Sequence, residues 1–224
     1  MKITQRIFKC FSMGAITLVF MSVLVFGSPA PEQEANDRLL TVGIKDVFDA
    51  KVSLTPFEGL KAINPIAEVL DVKNGETAVL KIPARYLPGE FLIRIDYRAK
   101  VADSPYPSER TIFVNKQDIE LLSVNPPYIN NSERTKFSAG EKENTVYGAF
   151  IKENQEKRMP IDLLKQFLLT YDRPESAVYK QGVQEFNHRR LEYNTWLRDQ
   201  AKAHRELYVS KLFQFQYIPA IEWN

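Results

Sequence analysis

The chain has 224 residues, with 30 basic and 28 acidic side chains, 44% hydrophobic residues and one cysteine, Cys10. That length supports one or two domains with a packed core. The near-balance of charge gives no global attraction to nucleic acid, and beyond Cys10 no thiol chemistry is possible.

Lys2, Arg6 and Lys9 form a positive segment free of acids, and an apolar run follows from Phe11 to Phe26, interrupted by Ser12, Gly14, Thr17 and Ser22. Small residues come next, Gly27, Ser28 and Ala30, with Val25 and Gly27 at the −3 and −1 positions of a peptidase site. Residues 1–27 therefore read as an export signal, which implies a periplasmic or cell-envelope location. The run is 16 residues long. A bilayer span needs about 20, so cleavage is favoured, and an uncleaved signal is the one route to a membrane. Cys10 precedes the run, so lipidation at a mature N-terminus is not expected. Removing the three leading bases leaves 27 bases against 28 acids, a net charge of −1. The exported part has no disulfide, and its stability must come from packing.

Residues 28–38 (SPAPEQEANDR) form a polar tether. From 39 to 124 the apolar pattern has period two. Val52 and Leu54 share a face; in FLIRIDYR, Phe91, Ile93, Ile95 and Tyr97 face one way and Leu92, Arg94, Asp96 and Arg98 the other. Such alternation predicts half-buried antiparallel strands. Asn74-Gly75, between IAEVLDV and ETAVLKI, predicts a tight hairpin turn, and Pro88-Gly89 predicts a type II turn. RTIFVN and DIELLSV read as another hairpin. About seven short strands make a β-sandwich the expected architecture. Segment 125–143, rich in Pro and Asn at its start, reads as a linker. Asn130 stands in a formal glycosylation sequon, a tripeptide common enough to be incidental.

From residue 144 the period becomes helical. Val146, Tyr147, Phe150 and Ile151 share a face behind Asn144, a candidate N-cap. Met159-Pro160 predicts a stop and a new start, with Leu163, Leu164, Phe167, Leu168 and Tyr171 continuing the spacing. Another start signal at Asp172–Glu175 opens a stretch free of proline to Leu212, expected as one long helix of about 55 Å or as a helix broken within that stretch. Val183, Phe186, Tyr193, Leu197, Leu207 and Leu212 form its apolar side. The fold class expected is thus α+β, an N-terminal β-domain followed by a helical region over 144–224.

No serine sits in a Gly-x-Ser-x-Gly elbow, and no Gly-rich phosphate loop is present. His188 and His204 lie 16 residues apart. On one helix that separates them by roughly 24 Å along the axis, too far to share a metal. Arg189, Arg190, Arg198, Lys202 and Arg205 alternate with Glu192, Asp199 and Glu206, the pattern of a solvated, ion-paired face rather than a nucleic-acid contact. Carboxylates are abundant, but nothing pairs two of them as a glycosidase would need. The loop ADSPYPSE, 102–109, holds a tyrosine between two prolines and reads as a stiff connection, with ligand binding as the alternative. No catalytic, metal or cofactor-binding residue is assigned, and the chain is expected not to be an enzyme.

The end, FQFQYIPAIEWN, places Phe213, Phe215 and Tyr217 on one alternating face, with Trp223 beyond. Burying such rings is worth about 1.5–3 kcal/mol each, so the segment is expected to dock on its own helices or on another domain.

The NGE turn, the PGEFLIRIDY strand and Glu143-Asn-Thr-Val-Tyr147-Gly-Ala-Phe150 at the head of a helical region succeed one another in an order that resembles the N-terminal half of exported TlpA-like, redoxin-type thioredoxin-like oxidoreductases of Bacteroidota type. The resemblance covers residues 40–224. It implies a non-catalytic accessory module that positions, pairs or anchors a redox domain, on a chain truncated before the Cys-x-x-Cys site. Implied partners are a thioredoxin-like domain, another envelope protein or a second copy. The competing expectation is an exported β-sandwich that binds a glycan, a peptide or a surface partner.

Overall fold

Along β1, Arg38–Ile44, Leu40, Val42 and Ile44 alternate inward and are fully buried. The computed structural model describes residues 36–59, 61, 62 and 64–223, so the expected signal and most of the expected tether lie outside the described residues. The later strands are β2 (Asp49–Glu58), β3 (Lys61–Ala62), β4 (Ala67–Lys73), β5 (Thr77–Ile82), β6 (Gly89–Arg98), β7 (Tyr106–Val114), β8 (Ile119–Val124) and β9 (Lys136–Phe137). They build two sheets. One has the order β5-β1-β8-β9, with β1 and β8 parallel; the other runs β3-β2-β6-β7, with β4 also paired to β2. Leu40, Val42, Leu80, Ile82, Ile119 and Leu121 of the first meet Val52, Leu54, Phe91, Ile93, Ile95 and Ile112 of the second in one core. Two sheets sharing a core fit a sandwich. The alternation read in 91–98 holds, with Phe91, Ile93 and Ile95 inside.

Three turn expectations are corrected. Asn74-Gly75 is not a hairpin turn, because β4 pairs with β2 and β5 with β1, so the chain crosses between sheets there. Gly75 takes φ 83°. The corner is stitched to the end of β1: Gly75 N–H donates to Ile44 O at 2.8 Å, and Asp46 N–H to Asn74 Oδ1 at 2.7 Å. The residues signal a reversal without specifying which strand each arm pairs with. Likewise RTIFVN and DIELLSV form no hairpin, since β7 pairs with β6, and β8 with β1 and β9. Pro88-Gly89 is not type II, since Gly89 already begins β6 and its φ is not positive. Gly89 is needed for close approach: a Cβ there would lie 2.4 Å from Tyr86 O.

The stiff loop 102–109 ends in strand. Tyr106 and Pro107 open β7, an outer strand, where a proline loses no ladder bond that the sheet needs. Its free edge is covered by side chains and carbonyls of segment 125–143. Asn130 Nδ2 donates to Glu109 O at 2.8 Å, and Ser108 Oγ donates to Pro126 O. Within that segment, Ile129 is buried in the β core and β9 pairs with β8.

Helix α1, Glu143–Thr170, is continuous through Met159-Pro160, where a break is expected from sequence. An interior proline costs about 3 kcal/mol. Phe150 before it and Ile161 and Leu168 after it are all buried in one cluster, which holds both halves to the same partner. Asn144 is not the N-cap. It lies in the first turn, and Glu141 accepts from the N–H groups of Asn144 and Thr145 at 2.9 and 3.0 Å.

Helix α2, Ala177–Ala203, starts at a Ser176 cap that accepts from Tyr179 N–H at 3.1 Å. It ends at His204 instead of continuing to Leu212, and at 27 residues it is about as long as the 28-residue α1. A short α3, Ser210–Phe213, and a 3-10 turn, Gln214–Gln216, follow it. The two long helices are antiparallel: Leu168 packs by Gly182, and Phe150 stacks on Trp196. Gly182 permits the close crossing, since a Cβ there would lie 3.0 Å from the Phe167 ring. Along the outer side of α2 the charges pair, Arg189 with Glu185 at 2.6 Å. Among the described residues no helix is long and apolar enough to cross a membrane.

Candidate functional site

The helices meet the β layer on the outer face of the second sheet. Ile112, Phe113 and Val114 are consecutive and all buried, which requires cover on both faces of β7. Phe113 points to the helices and packs 4.4 Å from the Tyr147 ring and 6.5 Å from Tyr208. Asn144 clamps the same residue from the edge. Its Oδ1 accepts from Phe113 N–H at 2.8 Å and its Nδ2 donates to Phe113 O at 2.8 Å, as a neighbouring strand would. Glu143, also buried, accepts from Asn115 Nδ2 and from the N–H groups of Tyr208 and Val209 at 2.9 to 3.0 Å. One turn of α1 thereby ties β7 to the segment after α2.

The C-terminal rings divide. Phe213 is fully buried and stacks on Phe150, centroids 3.8 Å apart. Trp223 is half-buried, edge-on to Phe186 at 5.1 Å. Phe215 and Tyr217 remain 79% and 57% exposed. The expected alternating face of 213, 215 and 217 is absent, because the backbone there is helical, not extended. A second asparagine clamp fixes the chain just beyond Tyr217: Asn194 Oδ1 accepts from Ile218 N–H at 3.0 Å and Nδ2 donates to Ile218 O at 2.8 Å. Arg190 adds a donor to the same carbonyl at 3.3 Å, and Arg158 Nη1 donates to Gln216 O at 3.4 Å.

Beside Phe215 the junction opens into a groove of about 910 Å³. Pro56–Gly59 at the end of β2, residues 85–90 around the start of β6, and Tyr208, Leu212 and Phe215 line it. Glu90 is registered opposite Phe113, on the face away from the sandwich core. Among the described residues, no donor lies within hydrogen-bond distance of its carboxylate, and burial pushes the Glu90 carboxyl above its ordinary value. Burial, and then the charge of Glu90, push the phenols of Tyr147 and Tyr208 up as well. Arg85 sits over the Tyr86 ring at 4.9 Å and forms no ion pair among the described residues.

A raised carboxyl pKa means that the folded state binds the Glu90 proton more tightly than the unfolded state. Its unfavourable contribution is therefore absent below the ordinary carboxylate range, grows as pH rises through the shifted range, and persists at neutrality. Glu90→Gln is expected to raise the urea midpoint at about pH 7 and to leave it unchanged at about pH 3. An equal midpoint at both pH values would contradict the burial argument.

Of the ring residues singled out in the sequence, Phe215 lines this groove, Tyr217 lies on the other side against α2 with Arg198 and Lys202, Phe213 is packed inside, and Trp223 is half-buried against the helical core. Glu90, Arg85 and Tyr208 are not found by sequence reasoning. The signal available for them is the outward apolar Leu92 and the unbroken Ile112-Phe113-Val114, which together say that the outer face is covered. Among the described residues, no group of three His, Cys, Asp or Glu is placed to hold a metal ion. No protein-family model matches the chain, and no curated protein matches it in sequence.

Proposed function

We propose that the chain is a non-catalytic contact module, the accessory part of an exported thioredoxin-like thiol-disulfide oxidoreductase, and that it meets its partner domain at the Phe215 groove. One observation carries the reading: Phe215 is 79% exposed although the chain on either side of it is fixed by Phe213 and by the Asn194 clamp on Ile218. A ring held outward forgoes about 1.5–3 kcal/mol of burial, which a partner's surface would restore. The redox partner and the export address rest on the order of leader, strand and helix patterns in the sequence. The mixed lining of the groove, with Tyr86, Tyr208, Arg85 and Glu90, favours the second reading, a binding protein for a peptide, glycan or surface partner.

The two separate in a titration of the full chain with a purified thioredoxin-like domain of the resembled family, followed by calorimetry. The first reading expects saturable binding that Phe215→Ser weakens by about tenfold. No heat with that domain, together with a reproducible hit on a peptide or glycan array, transfers the function to the second reading. Silence in both experiments removes both.

A further inference from the structure

The chemistry of the groove narrows its occupant, and this step rests on the contact reading just given. Among the described residues, two carboxylates, Glu58 and Glu90, line it against one cation, Arg85. Arg85 is turned to Tyr86, its guanidinium over the ring at 4.9 Å and its Nη2 3.4 Å from the phenol oxygen. Glu90 is left facing the apolar and aromatic wall formed by Leu212, Tyr208 and Phe215, with no cation within ion-pair distance among the described residues. A half-buried carboxylate in such a setting has lost water and gained nothing in exchange. An anionic ligand would meet repulsion from Glu58 and Glu90, and a neutral apolar one would bury Glu90 further. A ligand cation answers both demands, because it restores the charge partner and is attracted by ring faces.

We propose that the groove accepts a lysine or arginine side chain presented by a partner peptide, with Glu90 as its counter-charge and Tyr208 and Phe215 as its walls. Charge complementarity and the aromatic lining select this occupant, and the groove's own Arg85 on Tyr86 illustrates the same pairing.

The test uses the full chain, isotopically labelled, and three capped peptides: acetyl-Leu-Arg-Leu-amide, its citrulline counterpart, which keeps the shape without the charge, and its glutamate counterpart. The arginine peptide is expected to shift the amides of Gly89, Tyr208 and Phe215 saturably. The citrulline peptide should bind about tenfold more weakly and the glutamate peptide more weakly still. Glu90→Gln, which is expected to fold at least as stably at neutral pH, should bring arginine and citrulline to parity. Equal binding of arginine and citrulline by the unsubstituted chain overturns the inference, as does a preference that survives Glu90→Gln. So does the absence of any shift with the arginine peptide. Binding of all three peptides alike, lost in Phe215→Ala, would end the charge assignment and leave the contact reading standing. The titration with the thioredoxin-like domain judges that reading separately.

Discussion

Asn144→Ala is expected to lower the unfolding free energy by about 2–4 kcal/mol, because it orphans two buried groups at once. Phe113 N–H and Phe113 O both point away from β6, and the Asn144 amide satisfies both at 2.8 Å. Each buried group left without a partner costs about 1–3 kcal/mol. Asn144→Asp separates this account from an ordinary effect on the helix start. Near a helix N-terminus an aspartate is as good as an asparagine or better, so a capping role predicts no loss. In the clamp, the substituted carboxylate would keep the acceptor for Phe113 N–H but lose the donor. Its charge would face Phe113 O and the Glu141 carboxylate, which now accepts from Asn144 Nδ2 at 2.9 Å. The aspartate variant should therefore be at least as unstable as the alanine variant in urea at neutral pH. Were it as stable as the parent chain, the joint between sheet and helix would not depend on the amide.

The same residue shows where sequence reading stops. That Asn144 stands at a helix start is legible from the switch to helical spacing. Its real partner lies on a strand 31 positions earlier, and no local pattern encodes that pairing. Residues 74–75 behave alike: the turn is legible, and the sheet that receives each arm is not. Pro160 is a local stop signal overridden by burial on both of its sides. By contrast, Phe91, Ile93 and Ile95 are readable because a strand's period needs no knowledge of the partner. The site is legible only at its rings. Phe215 stands out by composition, whereas Glu90 looks like any polar residue on an outward strand position. It becomes a half-buried carboxylate in a groove that Tyr208, Leu212 and Phe215 help to line from a distant part of the chain.

Phe213→Ala should cost about 3–5 kcal/mol, whereas Phe215→Ala, two residues on, should change stability by less than about 0.5 kcal/mol. The first ring is fully buried, in a stack with Phe150 that continues to Trp196 at 5.2 Å. Removing it opens a ring-sized cavity where α1, α2 and the C-terminal segment meet. The second ring has little contact to lose within the chain. An extended segment with 213, 215 and 217 on one face would instead give these two residues similar effects, so the ratio reports the helical phase of the tail directly. Phe213→Ala should also loosen the Asn194–Ile218 clamp downstream, visible as faster hydrogen exchange at the Ile218 amide, which now donates to Asn194 Oδ1. Phe215→Ala should leave that amide protected. The distinction matters for function, because a partner gains from Phe215 only if Phe213 keeps it from folding inward. Loss of binding in Phe213→Ala with unchanged exchange at Ile218 would count against this linkage and place the contact elsewhere.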